Sequence, residues 1–490
     1  MSKVSFGLVN RTIDDTDNPK LYILLTMALI IVTILLFSYV ILGTETITKV
    51  NKAAVAMFAG TIGWVLYICY GTDFVMNMHA KEYLSFLAGT EATSSNVKMF
   101  IADHIFLKYV GQGGSIVLFL LATMTIVEIL NNNGCFDFVL QLLKTRSSKR
   151  FLWTISSVTF IISANLDNLT TTVMMLTMMH KLIPNRRHRL LYGSAIVLAT
   201  NCGGALTVIG DPVGLTLWNA GAVTATNFSM SLMLPCLAAW AIPTYLIGRT
   251  LPERVQTEWI TMPYRGDDTR LNVWQRLLML FVGIGGLWFI PTCHNITKLS
   301  PFLGACCVLA VLWMVNELFN RKLMNDDAMI QRQIPRVLQY GVIQMMLFVM
   351  GIMLALGVVN ETGALATVRE FIDNNINNVW ALGLMSAFFS CFIDTFANAY
   401  SWFSIFGISD LQIATPDVLK DLSAFAQNGS FWKVIAFTSA LGGNILAIGS
   451  MSGLALMKAE RVHMWWYLKN VGWKALVGGL VGLMIMFFTL

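Results

Sequence analysis

The sequence predicts an all-α polytopic membrane protein with two inverted-topology repeats, each containing a re-entrant helical hairpin and a broken transmembrane helix. The first observation behind this prediction is composition: 56% of the 490 residues are hydrophobic and only 12% are charged, which a soluble protein with a polar surface does not sustain. The second is that apolar segments of spanning length continue to the C-terminus. The third is that polar stretches interrupt these segments twice, in the same order.

Residues 1–114 begin with two predicted spans, at 21–43 and 51–70, each close to the roughly 20 apolar residues that cross a bilayer. Residues 71–112 are mixed and partly amphipathic, which is typical of helices lying on a membrane surface. We therefore expect this part of the chain to contribute two spans and an interfacial segment.

The first repeat covers residues 115–248 and opens with a predicted span at 115–130. Its hairpin, residues 151–182, has SANLDNLTTT at its tip, between two apolar runs that are each about half a span long. Its broken helix, residues 190–220, contains NCGGALTVIGDP, in which two adjacent glycines, a further Gly210 and a proline are expected to break the helix. A further span at 228–247 completes the repeat.

Basic residues flank the first hairpin on both sides, in KTRSSKR before it and in the stretch from Lys181 to Arg189 after it. Loops rich in Lys and Arg are cytoplasmic in membrane proteins. The chain between the two clusters is therefore expected to enter and leave the membrane on the same side. Non-helical backbone at that depth occurs only where protein or a wet cavity surrounds it, so we expect the tip to face a site.

Residues 249–336 are expected to form a cytoplasmic loop and linking spans, and residues 337–490 to form the second repeat. The predicted hairpin here is residues 379–407, with CFIDTFANAYS at its tip, and the broken helix is residues 431–457, with LGGNILAIGSMSG. The flanks of this hairpin are poor in Lys and Arg, and acidic residues follow it, so we expect it to open to the opposite side.

Three pairs of features match the two copies in the same order. The separation is 229 residues for LFLLATMTIVEILNNNG and LFVMGIMLALGVVNETG, 227 residues from Asp167 to Asp394, and 239 residues from Gly203 to Gly442. This agreement indicates a duplication. In membrane proteins with inverted repeats, corresponding segments interrupted by Gly or Pro mark the binding site near the middle of the bilayer.

Side chains that carry oxygen cluster at both interruptions, and a dehydrated sodium ion requires several oxygen ligands. A buried carboxylate can hold either a cation or a proton, because burial disfavours its bare charged form. We predict that Na⁺ binds at Asp167 and Asn168. The full set of predicted ion-binding residues is Asp167, Asn168, Thr171, Thr172, Gly204 and Asp211 in the first copy, with Asp394, Asn398, Asn444 and Ser450 in the second.

Structural roles for the same residues stay open at this point. Asp167 and Asn168 would also serve as caps that satisfy the amides at the hairpin tip, and Asp211, which precedes a proline, suits a turn. Asp394 would also suit a structural role. Glu128, near the end of a predicted span, is a candidate proton relay or an interfacial carboxylate paired with a base.

These motifs resemble those of the ion transporter superfamily and, within it, of the NhaD-type sodium/proton antiporters. The likeness extends from about residue 115 onward and is carried by ATMTIVEIL, LDNLTTT, GGALTVIGDP and GGNILAIGSMSG. It implies a homodimer, in which each protomer has a scaffold and a transport domain that holds both hairpins and moves like an elevator. Two features depart from the antiporter pattern: Thr395 stands where Asn is usual, and Pro212 is nearer to arsenite or organic-anion carriers.

The predicted function is secondary active exchange of Na⁺, or Li⁺, for H⁺, with no cofactor and no enzymatic activity. The alternative is a sodium-coupled or uniport carrier of a small anion such as a dicarboxylate, sulfate or arsenite. The hairpin tips contain Asp and lack Lys and Arg, which favours a cation. Basic residues concentrate in short loops, so the expected partner is the lipid bilayer and not nucleic acid. We expect the inner membrane of a bacterium.

Overall fold

The computed structural model describes residues 19–88, 91–143, 145–255, 271–320, 340–376, 378–409 and 423–490. These residues are almost entirely helical, and the only β-type pairing among them is an isolated bridge between Ser147 and Arg254. Nine helices in this part of the chain are long and apolar enough to cross a membrane. The predicted fold class, an all-α polytopic membrane protein, is therefore confirmed.

Some features of the sequence lie outside the described residues. These are the basic loop stretches at 256–270 and 321–339 and the acidic stretch after the second hairpin, at 410–422.

The described residues before residue 250 form thirteen helices, and several begin at a capping side chain such as Asn51 or Thr93, which accepts a hydrogen bond from a backbone amide of the first turn. A π-helical stretch, Ile101–Phe106, joins α6 to α7 without a break. The helices are α1 (Pro19–Gly43), α2 (Glu45–Thr48), α3 (Lys52–Cys69), α4 (Gly71–Met78), α5 (Ala80–Leu87), α6 (Ser94–Phe100), α7 (Leu107–Asn132), α8 (Phe138–Leu142), α9 (Ser148–Asn165), α10 (Asn168–Leu182), α11 (Arg186–Leu206), α12 (Pro212–Asn219) and α13 (Ala225–Gly248).

The remaining described chain continues with helices of the same kind. A second π-helical stretch, Leu468–Gly472, leads into the last helix. The helices are α14 (Val273–Thr297), α15 (Pro301–Asn320), α16 (Tyr340–Glu361), α17 (Ala364–Asn375), α18 (Val379–Ser390), α19 (Thr395–Phe406), α20 (Ser430–Leu446), α21 (Met451–Glu460), α22 (Met464–Tyr467) and α23 (Trp473–Thr489).

The chain divides into two compact units, each assembled from segments that are distant in sequence. Unit 1 is Met1–Val117, Gln344–Asn378 and Tyr400–Gly407; unit 2 is Leu118–Ile343, Val379–Ala399 and Ile408–Leu490. Unit 2 therefore contains the first hairpin, both broken helices and the tip of the second hairpin. The division of the sequence into four consecutive segments stays a prediction.

Within unit 1, helices α3 and α16 cross at close range. A Cβ atom on Gly60 would lie 3.0 Å from the Gly351 carbonyl oxygen, so the absence of a side chain allows the two backbones to approach. The Trp64 indole nitrogen donates to the Leu354 carbonyl oxygen at 3.0 Å in the same region. The contact is therefore close-packed and also hydrogen-bonded.

The two hairpins and the two broken helices repeat one design, and all of it except Tyr400–Gly407 belongs to unit 2. The first hairpin is α9 and α10, separated by residues 166–167, and the second is α18 and α19, separated by residues 391–394. The first broken helix is α11 and α12, and the second is α20 and α21. Each hairpin packs its first helix against the longer half of a broken helix, because small residues on both allow close approach.

Both helices break within the predicted stretches, at residues 207–211 and 447–450, but the glycine pairs themselves remain helical. Helix α11 continues through Gly203 and Gly204 to Leu206, and α20 likewise continues to Leu446, so only about one turn is non-helical in each case. The reason is packing: a Cβ on Gly203 would overlap the Phe160 carbonyl, and one on Gly442 would overlap that of Ala387. The glycines let the hairpin backbone lie directly against the helix.

The predicted start of the third span is also too late. Helix α7 begins at Leu107, not near residue 115, and joins α6 through the π-helical stretch, so the apolar helical segment runs from Ser94 to Asn132. The polar residues near 112 lie within this helix. They do not end it, because one turn of polar side chains costs a helix little when its flanks are strongly apolar.

Candidate functional site

Asp167 lies at the tip of the first hairpin and is the N-cap of α10. One carboxylate oxygen, Oδ2, accepts hydrogen bonds from the Thr170 amide at 3.0 Å and from the Thr170 hydroxyl at 3.2 Å. The other oxygen, Oδ1, is buried and has no hydrogen-bond partner, and the side chain is only 3% exposed. A buried acceptor without a partner is unusual and points to a ligand of the site. Capping of α10 thus uses only one of the two carboxylate oxygens of Asp167.

Asn168 connects three segments of the first repeat. Its amide nitrogen donates to the carbonyl oxygens of Thr200 on α11 (2.9 Å) and Gly210 in the break (3.0 Å), and to the Ser163 hydroxyl on α9 (2.8 Å). Ser163 in turn donates to the Thr200 carbonyl at 2.8 Å. Because every neighbour of the amide nitrogen is an acceptor, its orientation is determined by the network. Asn168 therefore fixes the tip of the hairpin to the broken helix.

Thr172 and Gly204 complete the surroundings of Asn168. The Thr172 hydroxyl donates to the Asn168 carbonyl at 2.7 Å and to the Thr200 hydroxyl at 3.0 Å. Gly204 faces the Asn168 amide so closely that a methyl group there would overlap it. Thr171 differs from these residues, because its hydroxyl is buried and has no partner.

Asp211 caps the second half of the first broken helix. Its side chain accepts from the Val213 amide at 3.5 Å, and Pro212 occupies the first position of α12, where its missing N–H has no cost. Asp211 is buried, and its carboxyl interacts electrostatically with those of Asp167 and Asp394. The three buried carboxyls predicted from the sequence are thus brought into one region of unit 2.

At the second tip, Asp394 takes the place of Asp167 and accepts from the Phe396 amide at 3.0 Å. The Thr395 amide donates to the Gly449 carbonyl at 2.8 Å, which fixes this tip to the second broken helix. The Asn398 amide nitrogen lies between Ser386 and Ser439, at 2.8 Å from the first hydroxyl and 2.9 Å from the second. The asparagine of this tip is therefore one helical turn further along than in the first tip.

The register of the repeat reappears in the hydrogen bonds. Ser390 donates to the Ser439 carbonyl at 2.6 Å, and these residues stand 227 and 239 positions after Ser163 and Thr200, which make the same bond. Asp211 and Ser450 are likewise 239 residues apart, and both are N-caps of the second half of a broken helix. The duplication inferred from sequence is thus visible in equivalent contacts.

Asn201 joins the two broken helices to each other. Its amide nitrogen donates to the Asn444 side-chain oxygen at 2.9 Å and to the Ser450 hydroxyl at 3.0 Å, and all three residues are buried. The Ser452 hydroxyl is 3.5 Å from the Asn168 carbonyl. Asn444 and Ser450, predicted as part of the second site, are therefore linked to the first repeat as well.

Some residues of this network were not predicted. Ser163 and Asn201 lie inside the quoted motifs, and the 227- and 239-residue register would have found Ser390 and Ser439 from their partners in the first repeat. Glu128 lies half-buried on α7. Its role as a proton relay stays a prediction. No group of three or more His, Cys, Asp or Glu residues suited to a resident metal ion occurs in the described part of the chain.

A family model described as "Citrate transporter" (CitMHS) matches residues 21–407, which is most of the chain. The chain belongs to this family. It is therefore an integral membrane transporter, in agreement with its nine apolar helices of spanning length among the described residues. The resemblance to NhaD-type antiporters is confirmed by the names of its relatives.

The chain is similar to two proteins of Arabidopsis thaliana. It is 32% identical to sodium/proton antiporter 1, over 75% of this chain and 60% of the relative, and 30% identical to sodium/proton antiporter 2, over 75% of this chain and 84% of the relative. It is also 25% identical to the Na⁺/H⁺ antiporter NhaD of Vibrio cholerae, over 78% of this chain and 79% of the relative. The matched part thus spans less than two thirds of the first relative.

Proposed function

We propose that this protein is a secondary active transporter that exchanges Na⁺, and also Li⁺, for H⁺, with Asp167 as the group that both ions compete for. The observation that carries the proposal is the buried Oδ1 atom of Asp167, which accepts no hydrogen bond from the described residues. The names of the relatives, sodium/proton antiporters, support the same ions.

Competition for one carboxylate is sufficient for exchange. A bare carboxylate buried in protein is costly, so the stable forms are those that hold a cation or a proton. No Lys, Arg or His among the described residues forms an ion pair with Asp167 or Asp211. If only the loaded forms cross the membrane, a proton gradient drives Na⁺ out. We propose that Asp211 and the backbone near Gly204 complete the shell around the ion, since Gly204 packs against the Asn168 amide at the same tip.

We further propose an elevator movement, in which the hairpin tips and broken helices cross the membrane as one body while α1 and α3 remain still in a homodimer. The contacts of Asn168 and Asn201 support this, because they tie the hairpin and the two broken helices into one network. The basic clusters at the ends of the first hairpin support a cytoplasmic position for those ends, and we propose a bacterial inner membrane as the location.

Transport of a small anion is the second candidate, and the family description, citrate transporter, favours it. The N-termini of α10, α12 and α21 lie in the same region and would suit a carboxylate substrate. Three acidic side chains in that region oppose an anion unless a cation is bound with it. Addition of citrate to the assay below separates the two candidates.

The test is a proton gradient across proteoliposomes that contain the purified protein, followed with a pH-sensitive dye. We expect NaCl and LiCl to dissipate the gradient, and citrate at the same ionic strength to have no effect. Asp167→Asn should abolish the response, because an amide cannot exchange a cation for a proton. Asp373→Asn is the matched control, since Asp373 is half-exposed and pairs only with Arg369 on the surface.

Two results would contradict the proposal. If the gradient persists after Na⁺ and Li⁺ are added to vesicles that contain folded protein, Na⁺/H⁺ exchange is wrong. If Asp167→Asn still exchanges sodium, the assignment of the carboxylate is wrong even though the activity stands.

A further inference from the structure

The two tips use the same residue types at exchanged positions. With the 227-residue register, Asn168 corresponds to Thr395, and Thr171 corresponds to Asn398. Gly204 faces Asn168, and a Cβ added to its counterpart Gly443 would lie 2.8 Å from the Thr395 methyl group, so the backbones correspond although the side chains do not. The asparagine amide of the second tip therefore stands where the first tip has a threonine hydroxyl.

The first tip leaves two buried oxygen atoms without partners. They are Oδ1 of Asp167 and the hydroxyl oxygen of Thr171, and both side chains are at most 3% exposed. Thr171 lies in the first turn of α10, and its amide donates to the carbonyl oxygen of the N-cap Asp167 at 3.0 Å, so both residues belong to the N-terminal end of this helix. Oxygen atoms of this kind are what a small dehydrated cation requires, and neither has a hydrogen-bond partner among the described residues.

At the corresponding position of the second tip, the nearby oxygen atoms already have a hydrogen-bond donor, the Asn398 amide. The Asn398 amide nitrogen is surrounded by the Ser386 carbonyl oxygen at 3.2 Å, the Ser386 hydroxyl at 2.8 Å and the Ser439 hydroxyl at 2.9 Å. All three residues are buried. The two hydrogens of an amide nitrogen carry partial positive charge, so this group takes the place that a cation would fill among these oxygens.

We propose that each chain binds one Na⁺, at the first tip between Asp167 and Thr171, and that the amide of Asn398 closes the corresponding place at the second tip. Asn398 is then a positioning residue that determines the number of cations bound. This inference rests on the proposed function, because it concerns the same transported ion.

The test is the binding of radioactive Na⁺ to the purified full-length protein in detergent, with the number of ions per chain and the dissociation constant as readouts. We expect one Na⁺ per chain. Thr171→Val should weaken binding by about tenfold, as expected for one lost ligand oxygen, whereas Thr171→Ser should keep it. Asn398→Thr, the change at the equivalent position, removes the amide that closes the second place and should raise the number of bound Na⁺ above one per chain.

A second variant keeps the inference open to refutation if Asn398→Thr does not fold. Asn398→Asp replaces the amide hydrogens by a carboxylate oxygen among the same three oxygens, and we expect it to bind a second Na⁺ per chain. Two bound Na⁺ per chain in the unchanged protein would overturn the inference. So would an equal loss of Na⁺ affinity in the Thr171→Val and Asn398→Thr variants, or only one bound Na⁺ in Asn398→Asp. Exchange activity with two ions bound would leave the proposed function intact, whereas no bound Na⁺ together with no exchange would overturn both.

Discussion

Helix α10 has a buried carboxylate at each end, and the two carboxylates have opposite surroundings. At its N-terminus, Asp167 keeps one oxygen without a partner. Near its C-terminus, Glu460 of α21 is 5% exposed and accepts from Arg189 through both oxygens, at 2.8 and 3.1 Å, and from His180 at 3.1 Å. An acidic group with hydrogen-bond partners for both oxygens therefore lies near one end of α10, and one with an unpartnered oxygen lies at the other end.

The difference fits a structural role for Glu460 and the transport role proposed for Asp167. Removing a carboxylate from water costs several kcal/mol, and in unit 2 Arg189 offsets this cost for Glu460 through paired hydrogen bonds. Arg186 adds a hydrogen bond to the Glu460 backbone carbonyl at 2.8 Å, which satisfies the end of α21. Asp167 has no such partner among the described residues, which supports a role in which the counter-charge arrives and leaves.

Among the changes that test the contrast between Glu460 and Asp167, removal of Arg189 is expected to have the largest effect. Arg189→Ala leaves Glu460 buried without its guanidinium, and such changes cost about 3–5 kcal/mol of stability. We expect a large fall in the melting temperature of the purified protein, measured by light scattering or intrinsic fluorescence. The control is Arg187→Ala, because Arg187 is exposed on the same turn of α11. Equal melting temperatures for the two variants would show that Glu460 does not need its partner.

The sequence predicted the architecture of this region better than its contacts. Acidic and amide residues inside apolar segments are costly, so LDNLTTT and its counterpart near Asp394 could be assigned to hairpin tips. The 227- and 239-residue separations between the two copies then identified equivalent positions. The Asn201–Asn444 bond could not be predicted, because it joins residues 243 positions apart that are not equivalent in the repeat. Nor could the sequence show that Gly203 stays helical, since a glycine costs a helix only about 1 kcal/mol, which packing offsets.

A smaller effect would sharpen the comparison at the tip itself. Gly204→Ala puts a methyl group into the Asn168 amide, and overpacking of this kind costs about 1–3 kcal/mol. Because Asn168 bonds to α9, α11 and the break at once, we expect a lower melting temperature together with weaker Na⁺-dependent exchange. Gly111→Ala is the matched control: a Cβ there meets nothing within 4 Å. If the Gly204→Ala and Gly111→Ala variants have the same melting temperature and exchange activity, the packing of Gly204 against Asn168 is unimportant.

Glu361, at the end of α16 in unit 1, is an intermediate case between Asp167 and Glu460. It is 6% exposed and accepts from the Tyr109 hydroxyl at 2.7 Å. Its other oxygen lies 2.7 Å from Nε2 of His79, and the second ring nitrogen of His79 is 3.2 Å from Glu82. The partner of this carboxylate is thus a group that carries its charge only when protonated.

The smallest expected effect is a pH-dependent change in stability at the His79–Glu361 pair. The hydrogen bond to Glu361 raises the pKa of His79 above its ordinary value of 6.5. A raised pKa means that the pair contributes its full stability below about pH 6.5, and that the contribution disappears as the pH rises through the folded-state pKa. His79→Gln should therefore lower stability at pH 6 by less than about 1 kcal/mol, since the imidazole is partly exposed, and have no effect at pH 9. Melting temperatures of both proteins across this range test the sign, with His188→Gln as the control; a difference that grows toward alkaline pH would contradict the pairing.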